Sequence, residues 1–195
     1  MRGHTMNRLI ASVLVAVACA TAVLAQKPAS INPESIYHLD GVTVVSPNQP
    51  GWVLLQSNKS FISFQKRGEG EVLNASVKTI KTRVFKNDND LLTSLEALQV
   101  EELSKLKMVS VHFNQVRFKS SPCLQYDGIF TGDTSAPNFE YLNLMGYMCR
   151  HPESKGLVVQ IELSNHSNQR GFSEDLINLS PEFFEKVAFA KVARQ

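Results

Sequence analysis

The sequence is poor in the residues that mark several specialised classes of protein. It has three cysteines, one tryptophan, ten glycines and eight prolines in 195 residues. Disulfide-rich scaffolds need more cysteine and fibrous repeats need more glycine, so both classes are excluded. With 43% hydrophobic and 19% charged residues, the chain is too apolar and too weakly charged to be disordered. These shortages leave an ordinary globular protein, and the length predicts about one domain.

Residues 1–25 have the layout of a secretory signal peptide. Arg2 and Arg8 form a basic start without any acid, and the apolar run that follows carries no charge. Small residues precede the expected cleavage between Ala25 and Gln26. An uncleaved membrane anchor is one alternative, although the uncharged run is short for a span of about 20 residues. We therefore expect a periplasmic or secreted protein.

A second alternative for the N-terminus is a lipid anchor. Cys19 follows Ala-Val-Ala, a weak match to a bacterial lipoprotein box, and lipidation there would make the protein a membrane-anchored lipoprotein. Contact with a membrane is expected only if Cys19 is lipidated or the signal stays uncleaved.

The charge balance gives no reason to expect a polyanionic partner. The whole chain carries a formal charge of +2, but Arg2 and Arg8 lie in the predicted signal, which leaves 18 basic and 18 acidic residues. No basic patch is visible in this remainder, so no nucleic-acid partner is expected. We expect instead a protein partner in the cell envelope.

The two remaining cysteines are predicted to form a disulfide. Strand-like runs at 122–131 and 139–150 flank a turn-rich loop. A hairpin centred on Ala136 places Cys123 directly opposite Cys149, at a spacing that a disulfide tolerates. Oxidation is also the simplest fate of two cysteines outside the cytoplasm.

Three other interpretations of the cysteines stay open at this point. The thiols could be free and buried, could bind a metal, or could include a nucleophile served by His151. The chain lacks the C-x-x-C pairs of a recognisable zinc site, and His151 would act as a base only by accident of geometry.

The rest of the chain predicts one domain of strands and two helices. Residues 26–35 are polar with two prolines and are predicted as a tether, and 36–195 as a single globular domain. Alternating or β-branched runs predict antiparallel strands, at 42–46, 52–56, 61–66, 72–85, 108–119, 122–131, 139–150 and 157–164.

Two segments have helical periodicity. Leucines at three- to four-residue spacing between 91 and 106 predict an amphipathic helix of about 17 residues, preceded by candidate N-caps at 87–90. Ser180, Pro181 and Glu182 have the N-cap, first-position proline and first-turn acid of a second helix. Its apolar stripe would comprise Phe183, Phe184, Val187, Ala188 and Val192.

The strand predicted at 139–150 is apolar on both faces, so helices are expected on each side of the sheet. The predicted fold class is α+β: an antiparallel sheet of about six to seven strands covered by helices on both faces.

The order of these elements, together with Pro47 and Gly51-Trp52 after the first strand, resembles the PsbP-like family (PsbP/Mog type). The resemblance covers about residues 36–192 and implies an α/β/α sandwich in an exported bacterial member of unassigned role. It implies no catalytic residue, because members of one fold family serve unrelated functions.

The sequence contains no recognisable motif for catalysis, for a metal or for a cofactor. In the predicted hairpin Asp127 faces Met145 on the disulfide side. A possible ligand groove near one end of the hairpin would use five polar side chains: Tyr126, Asp127, Tyr147, Arg150 and His151.

Two functional classes follow from this. The first is an exported, non-catalytic accessory or binding module. The alternative is a small-ligand binder or enzyme with a site near the Cys123/Cys149 hairpin. A concave pocket holding three or more of the five polar groups would favour the alternative.

Overall fold

A computed structural model describes residues 29–132 and 135–191. The predicted signal peptide, its cleavage site between Ala25 and Gln26, Cys19 and Val192 lie outside the described residues. The strands are β1 Ala29–Ser30, β2 Ile36–Leu39, β3 Val42–Val45, β4 Trp52–Ser57, β5 Phe61–Arg67, β6 Glu71–Lys81, β7 Lys107–Phe118, β8 Ser121–Thr131, β9 Tyr141–His151, β10 Ser154–Ser167 and β11 Ala188–Phe189. The helices are α1 Asp88–Leu103 and α2 Glu174–Lys186.

The main sheet is antiparallel and has eight strands within the described residues, in the order β1-β4-β5-β6-β10-β9-β8-β7. This is more than the six to seven strands that the sequence predicts. One addition is β1, which lies in the segment predicted as a tether and pairs with β4. The strand predicted at 42–46 is β3, but it belongs to a second sheet of order β11-β3-β2 that was not predicted, because β2 and β11 have only four and two residues.

The two helices cover opposite faces of the sheet. Alternate residues of β10 point to opposite sides, with Val159 in the hydrophobic cluster of α2 and Val158 in that of α1. The α2 cluster also includes the small sheet. The α+β class and the cover on both faces therefore agree with the prediction.

Helix α1 begins where the sequence indicates. The Asn87 side chain accepts a hydrogen bond from the backbone N–H of Asp90 at 2.8 Å, which caps the helix. Leu91, Leu95 and Leu103 are buried against the sheet. The helix ends at Leu103, a few residues before the end of the leucine pattern.

Helix α2 begins earlier than predicted, at Glu174, and the N-cap is Ser173, whose side chain accepts from Leu176 N–H at 3.2 Å. Pro181 therefore lies inside the helix. A proline has no N–H to donate to the carbonyl four residues earlier, that of Ile177. The Ser180 hydroxyl donates to this carbonyl at 3.0 Å, so the missing hydrogen bond is replaced.

The end of α2 also differs from the prediction. The helix stops at Lys186, Val187 is its C-cap, and Ala188 belongs to strand β11. Lys119, in the turn between β7 and β8, donates from Nζ to the carbonyls of Glu185 and Val187. A lysine at this position satisfies free carbonyls and complements the helix dipole, so this turn holds α2 on the sheet.

No helix in the described parts of the chain is long and apolar enough to cross a membrane.

Candidate functional site

The predicted disulfide is confirmed. Cys123 of β8 and Cys149 of β9 are bonded, fully buried and directly paired in the hairpin register, with a Cα–Cα distance of 4.1 Å. Asp127 is paired with Met145, as expected. The face of the hairpin that carries the disulfide is the face that α2 covers.

An open groove of about 520 Å³ lies between this hairpin and α2. Its floor is formed by side chains on the disulfide face: Gln125, Asp127, Met145 and Tyr147. The floor residues follow the strand period of two, which places all four on one face. All four are partly exposed.

The wall of the groove comes from α2 and the segment before it: Phe172, Ser180, Pro181 and Phe184. Tyr147 contacts two further rings, Phe184 edge-on with centroids 5.0 Å apart and Phe118 in a stack at 4.9 Å. These ring contacts hold Tyr147 between the sheet and the helix.

Asp127 is paired with a histidine on the neighbouring strand. His112 of β7 lies directly opposite Asp127, and its Nδ1 is 3.0 Å from Asp127 Oδ2. The imidazole is exposed on the edge strand β7 and lies beside the groove, outside its lining. The carboxylate of Asp127 makes no other hydrogen bond to the described residues.

Tyr126 is not in the groove as a side chain. Its ring is buried on the α1 face, where the hydroxyl donates to Glu162 Oε2 at 2.8 Å and accepts from Gln160 Nε2 at 3.1 Å. Burial and the neighbouring Glu162 raise the pKa of Tyr126 well above its ordinary value. Burial also raises the pKa of Glu162, while the hydrogen bond from Tyr126 acts in the opposite direction. Tyr126 lines the groove through its main chain, because its ring lies on the opposite face of the sheet.

Arg150 and His151 also lie elsewhere. Arg150 points to the α1 face and pairs with Asp88 at 2.9 Å. His151 is buried, and its Nε2 lies 2.8 Å from the carbonyl of Gly41 and 3.1 Å from that of Ala190. It therefore connects the main sheet to the loops around the small sheet. Of the five predicted polar groups, the structure brings together the side chains of Asp127 and Tyr147.

His112, the partner of Asp127 beside the groove, was not predicted from the sequence. A hairpin that turns at Lys119 and Ser120 pairs His112 with Asp127, but these two residues have φ angles of 49° and 66°, a region usually taken by glycine or asparagine. Because the turn lacks those residues, its register is not visible in the sequence. The wall residues were missed because α2 was expected to begin at Ser180.

A histidine–aspartate pair activates a hydroxyl or thiol only if that group is within hydrogen-bond reach of the imidazole. Among the described residues, His112 hydrogen-bonds to Asp127 alone. In the same part of the chain, no group of three or more His, Cys, Asp or Glu residues is placed to hold a metal ion. The groove presents partly exposed rings, a carboxylate and a few hydrogen-bonding groups.

Comparison with known proteins gives weak similarities. No protein-family model and no curated protein matches the sequence. Among solved structures, the yeast Saccharomyces cerevisiae Ran-binding protein Mog1p is similar with a TM-score of 0.49 and 11% identity, covering 83% of this chain and 96% of its own. A Pseudomonas aeruginosa protein of unknown function, titled a putative regulator, gives a TM-score of 0.44 and 12% identity over 79% of this chain and 93% of its own.

A protein from Bacteroides thetaiotaomicron gives a TM-score of 0.49 and 8% identity over 82% of this chain. This chain spans about half the length of that protein, 49%. Scores of this size carry no conclusion about function, and the α+β architecture rests on the strands and helices described above.

Proposed function

We propose that this protein is an exported, non-catalytic module that binds a protein partner through the groove between the β8–β9 hairpin and α2. The observation that carries the proposal is the composition of that groove. Two of the five predicted polar side chains, Asp127 and Tyr147, meet there beside exposed rings, and His112 contacts no nucleophile among the described residues. That is fewer than the three polar groups that would favour a ligand pocket.

Export is supported by the predicted signal at 1–25 and by the disulfide. Disulfides persist outside the reducing cytoplasm, and the Cys123–Cys149 bond joins two neighbouring strands of the folded domain. Membership of the PsbP-like family, as an exported bacterial branch, is part of the same proposal and is supported by the order of strands and helices.

Site-specific photocrosslinking in the native host tests the proposal. A photocrosslinking amino acid replaces Gln125 in the groove and, as a matched control, Ser76, a partly exposed residue of β6 on the opposite face of the sheet. We expect a discrete protein adduct from position 125 and none from position 76. The same adducts from both positions, or none from position 125, would contradict a partner bound in this groove.

The alternative, a small-ligand binder or enzyme, is favoured by one observation: a groove of about 520 Å³ lies within the range of small-molecule sites. Native mass spectrometry of protein purified from its host distinguishes the two. The partner-binding proposal expects the mass of the chain alone, whereas a retained small molecule that is lost on replacing Met145 with Trp would support the alternative.

A further inference from the structure

The groove combines an acid with aromatic rings, and no basic side chain is among the described residues that line it. Asp127 is the one charged side chain in that described lining. Tyr147 and Phe172 are partly exposed beside it, and Phe184 contributes a ring at the base of the wall. A carboxylate beside aromatic rings suits a positively charged group, because the ring faces and the acid both attract a cation.

Asp127 has capacity left for such a ligand. A carboxylate can accept about four hydrogen bonds, and His112 uses Oδ2 alone. Within the described residues Oδ1 has no partner, and Asp127 is partly exposed toward the groove. A guanidinium or ammonium group could therefore bind at Oδ1 without displacing the histidine.

Two neutral groups beside Asp127 suit a peptide backbone. Gln125 donates its amide to the Tyr147 hydroxyl at 3.4 Å, which leaves the side-chain oxygen of Gln125 without a partner in the described chain. Ser180 Oγ donates to the Ile177 carbonyl and still has lone pairs to accept a hydrogen bond. Both residues line the groove, and their oxygens can accept from main-chain N–H groups that flank a bound side chain.

We propose that the groove binds a lysine or arginine side chain of the partner protein, with the cation held by Asp127 and the ring of Phe172. This inference rests on the proposed function, since it names the chemistry of the partner. The rings take the apolar stem of the side chain, and Gln125 and Ser180 bind the flanking main chain.

The test is a titration of the disulfide-bonded protein, followed by NMR of the Met145 methyl group and the β8–β9 amides. The probes are Nα-acetyl-arginine methylamide and its uncharged isostere, Nα-acetyl-citrulline methylamide. We expect saturable shifts at the groove, with the arginine probe binding at least about fivefold tighter than the citrulline probe. Asp127→Asn should remove this preference, whereas Asp40→Asn, an exposed acid outside the groove, should leave it unchanged.

A second variant and a third probe sharpen the result. Phe172→Leu should weaken arginine binding about threefold while unfolding as the parent protein does, because a cation–π contact is lost and an apolar side chain is kept. n-Butylguanidinium lacks the peptide groups and should bind more weakly than the arginine probe. Equal affinities of n-butylguanidinium and the arginine probe would overturn the proposal that the groove binds the main chain as well as the cation.

The inference and the proposed function fail in different ways. Equal binding of the arginine and citrulline probes, or no shift at the groove, would overturn the cation while a crosslink from position 125 would still support a partner there. Loss of that crosslink would contradict the proposed function itself.

Discussion

Gly146 is the residue at which the packing of the sheet tolerates least change. The Tyr126 ring crosses the Gly146 position on the neighbouring strand, and a Cβ added there would lie 2.4 Å from the Ile161 carbonyl and 2.8 Å from the Tyr126 hydroxyl. The absence of a side chain thus makes room for the Tyr126–Glu162 hydrogen bond. A glycine in a strand interior commonly marks such a close approach.

Gly146→Ala should therefore lower the free energy of unfolding by about 3 kcal/mol, since the added methyl meets backbone that cannot move aside. Urea unfolding measures the change. Gly68→Ala is the matched control, because the Cβ added there makes only ordinary contacts, with the Glu71 side chain at 3.5 Å and the Glu71 carbonyl at 3.9 Å. Equal effects of the two substitutions would contradict the described packing.

Glu162 gives a prediction about pH. Burial raises its pKa above the ordinary 4.5, and Glu102 acts in the same direction. A carboxyl whose pKa is higher in the folded state stabilises the protein at low pH and loses that contribution as pH rises through the raised value. Wild-type protein should thus lose stability relative to Glu162→Gln from about pH 4 toward pH 7.

Glutamine keeps an acceptor for the Tyr126 hydroxyl, so the pH trend isolates the ionisation of Glu162. Thermal unfolding of both proteins across this range measures the difference. Glu101→Gln, at an exposed site on α1, is the control and should show no such trend. A difference between wild type and Glu162→Gln that does not change with pH would be evidence against the burial of this carboxyl.

Among the elements, the β8–β9 hairpin was the most predictable. Two strand-like runs, a turn-rich loop and two cysteines at equal distances from Ala136 specify one register, and the structure has that register. Helix α1 was equally readable, because Asn87 and the leucine pattern agree. A helix or hairpin can be predicted from its sequence when the capping or turn residues and the hydrophobic pattern indicate the same element.

Helix α2 shows why other elements could not be predicted as well. The chain offers two starts, Ser173 before Glu174 and Ser180 before Pro181, and local rules favour the proline at the second. The first start is used because it brings Leu176 and Leu179 into the core, and burial outweighs the cost of an internal proline. Capping rules predict a helix start from local sequence, whereas the start that is used depends on how much apolar surface the helix buries.

The disulfide joins two elements and carries a prediction at this scale. Removing it with Cys123→Ala and Cys149→Ala together should lower the free energy of unfolding by about 3 kcal/mol, because the bond closes a loop of 26 residues in the unfolded chain. Urea unfolding provides the measurement, and oxidised wild type without reductant is the reference. The prediction fails if thiol titration of unfolded, unreduced wild type finds two free sulfhydryls.

At the scale of the whole molecule, the two helices are offset. Helix α1 contacts β7 and β8 on one face, whereas α2 contacts β10 and the small sheet on the other. The middle of β8 and β9 is only partly covered by α2, and the groove lies there. The offset could not be predicted, because an amphipathic pattern shows that one face of a helix is buried but not which strands it packs against.

The sheet order predicts a gradient of hydrogen exchange. Strands β10 and β9 lie inside the sheet and have neighbours on both sides, whereas β7 is an edge strand with a neighbour on one side. Amides of β7 that point away from β8 should exchange fastest, those that bond to β8 should be intermediate, and those of β10 slowest. Hydrogen exchange measured by NMR gives the rate for each of these three groups of amides. Slow exchange of the β7 amides that point away from β8 would contradict an unpaired edge.

The position of the disulfide has a consequence for the order of events during biogenesis. Both cysteines are inaccessible in the folded protein and lie on the face that α2 covers. Oxidation of the thiols therefore has to precede their burial in the folded domain. Because residues 174–186 follow both cysteines in the chain, a polypeptide that emerges from its amino end presents Cys123 and Cys149 before α2. The disulfide can thus form before the domain has completed its fold.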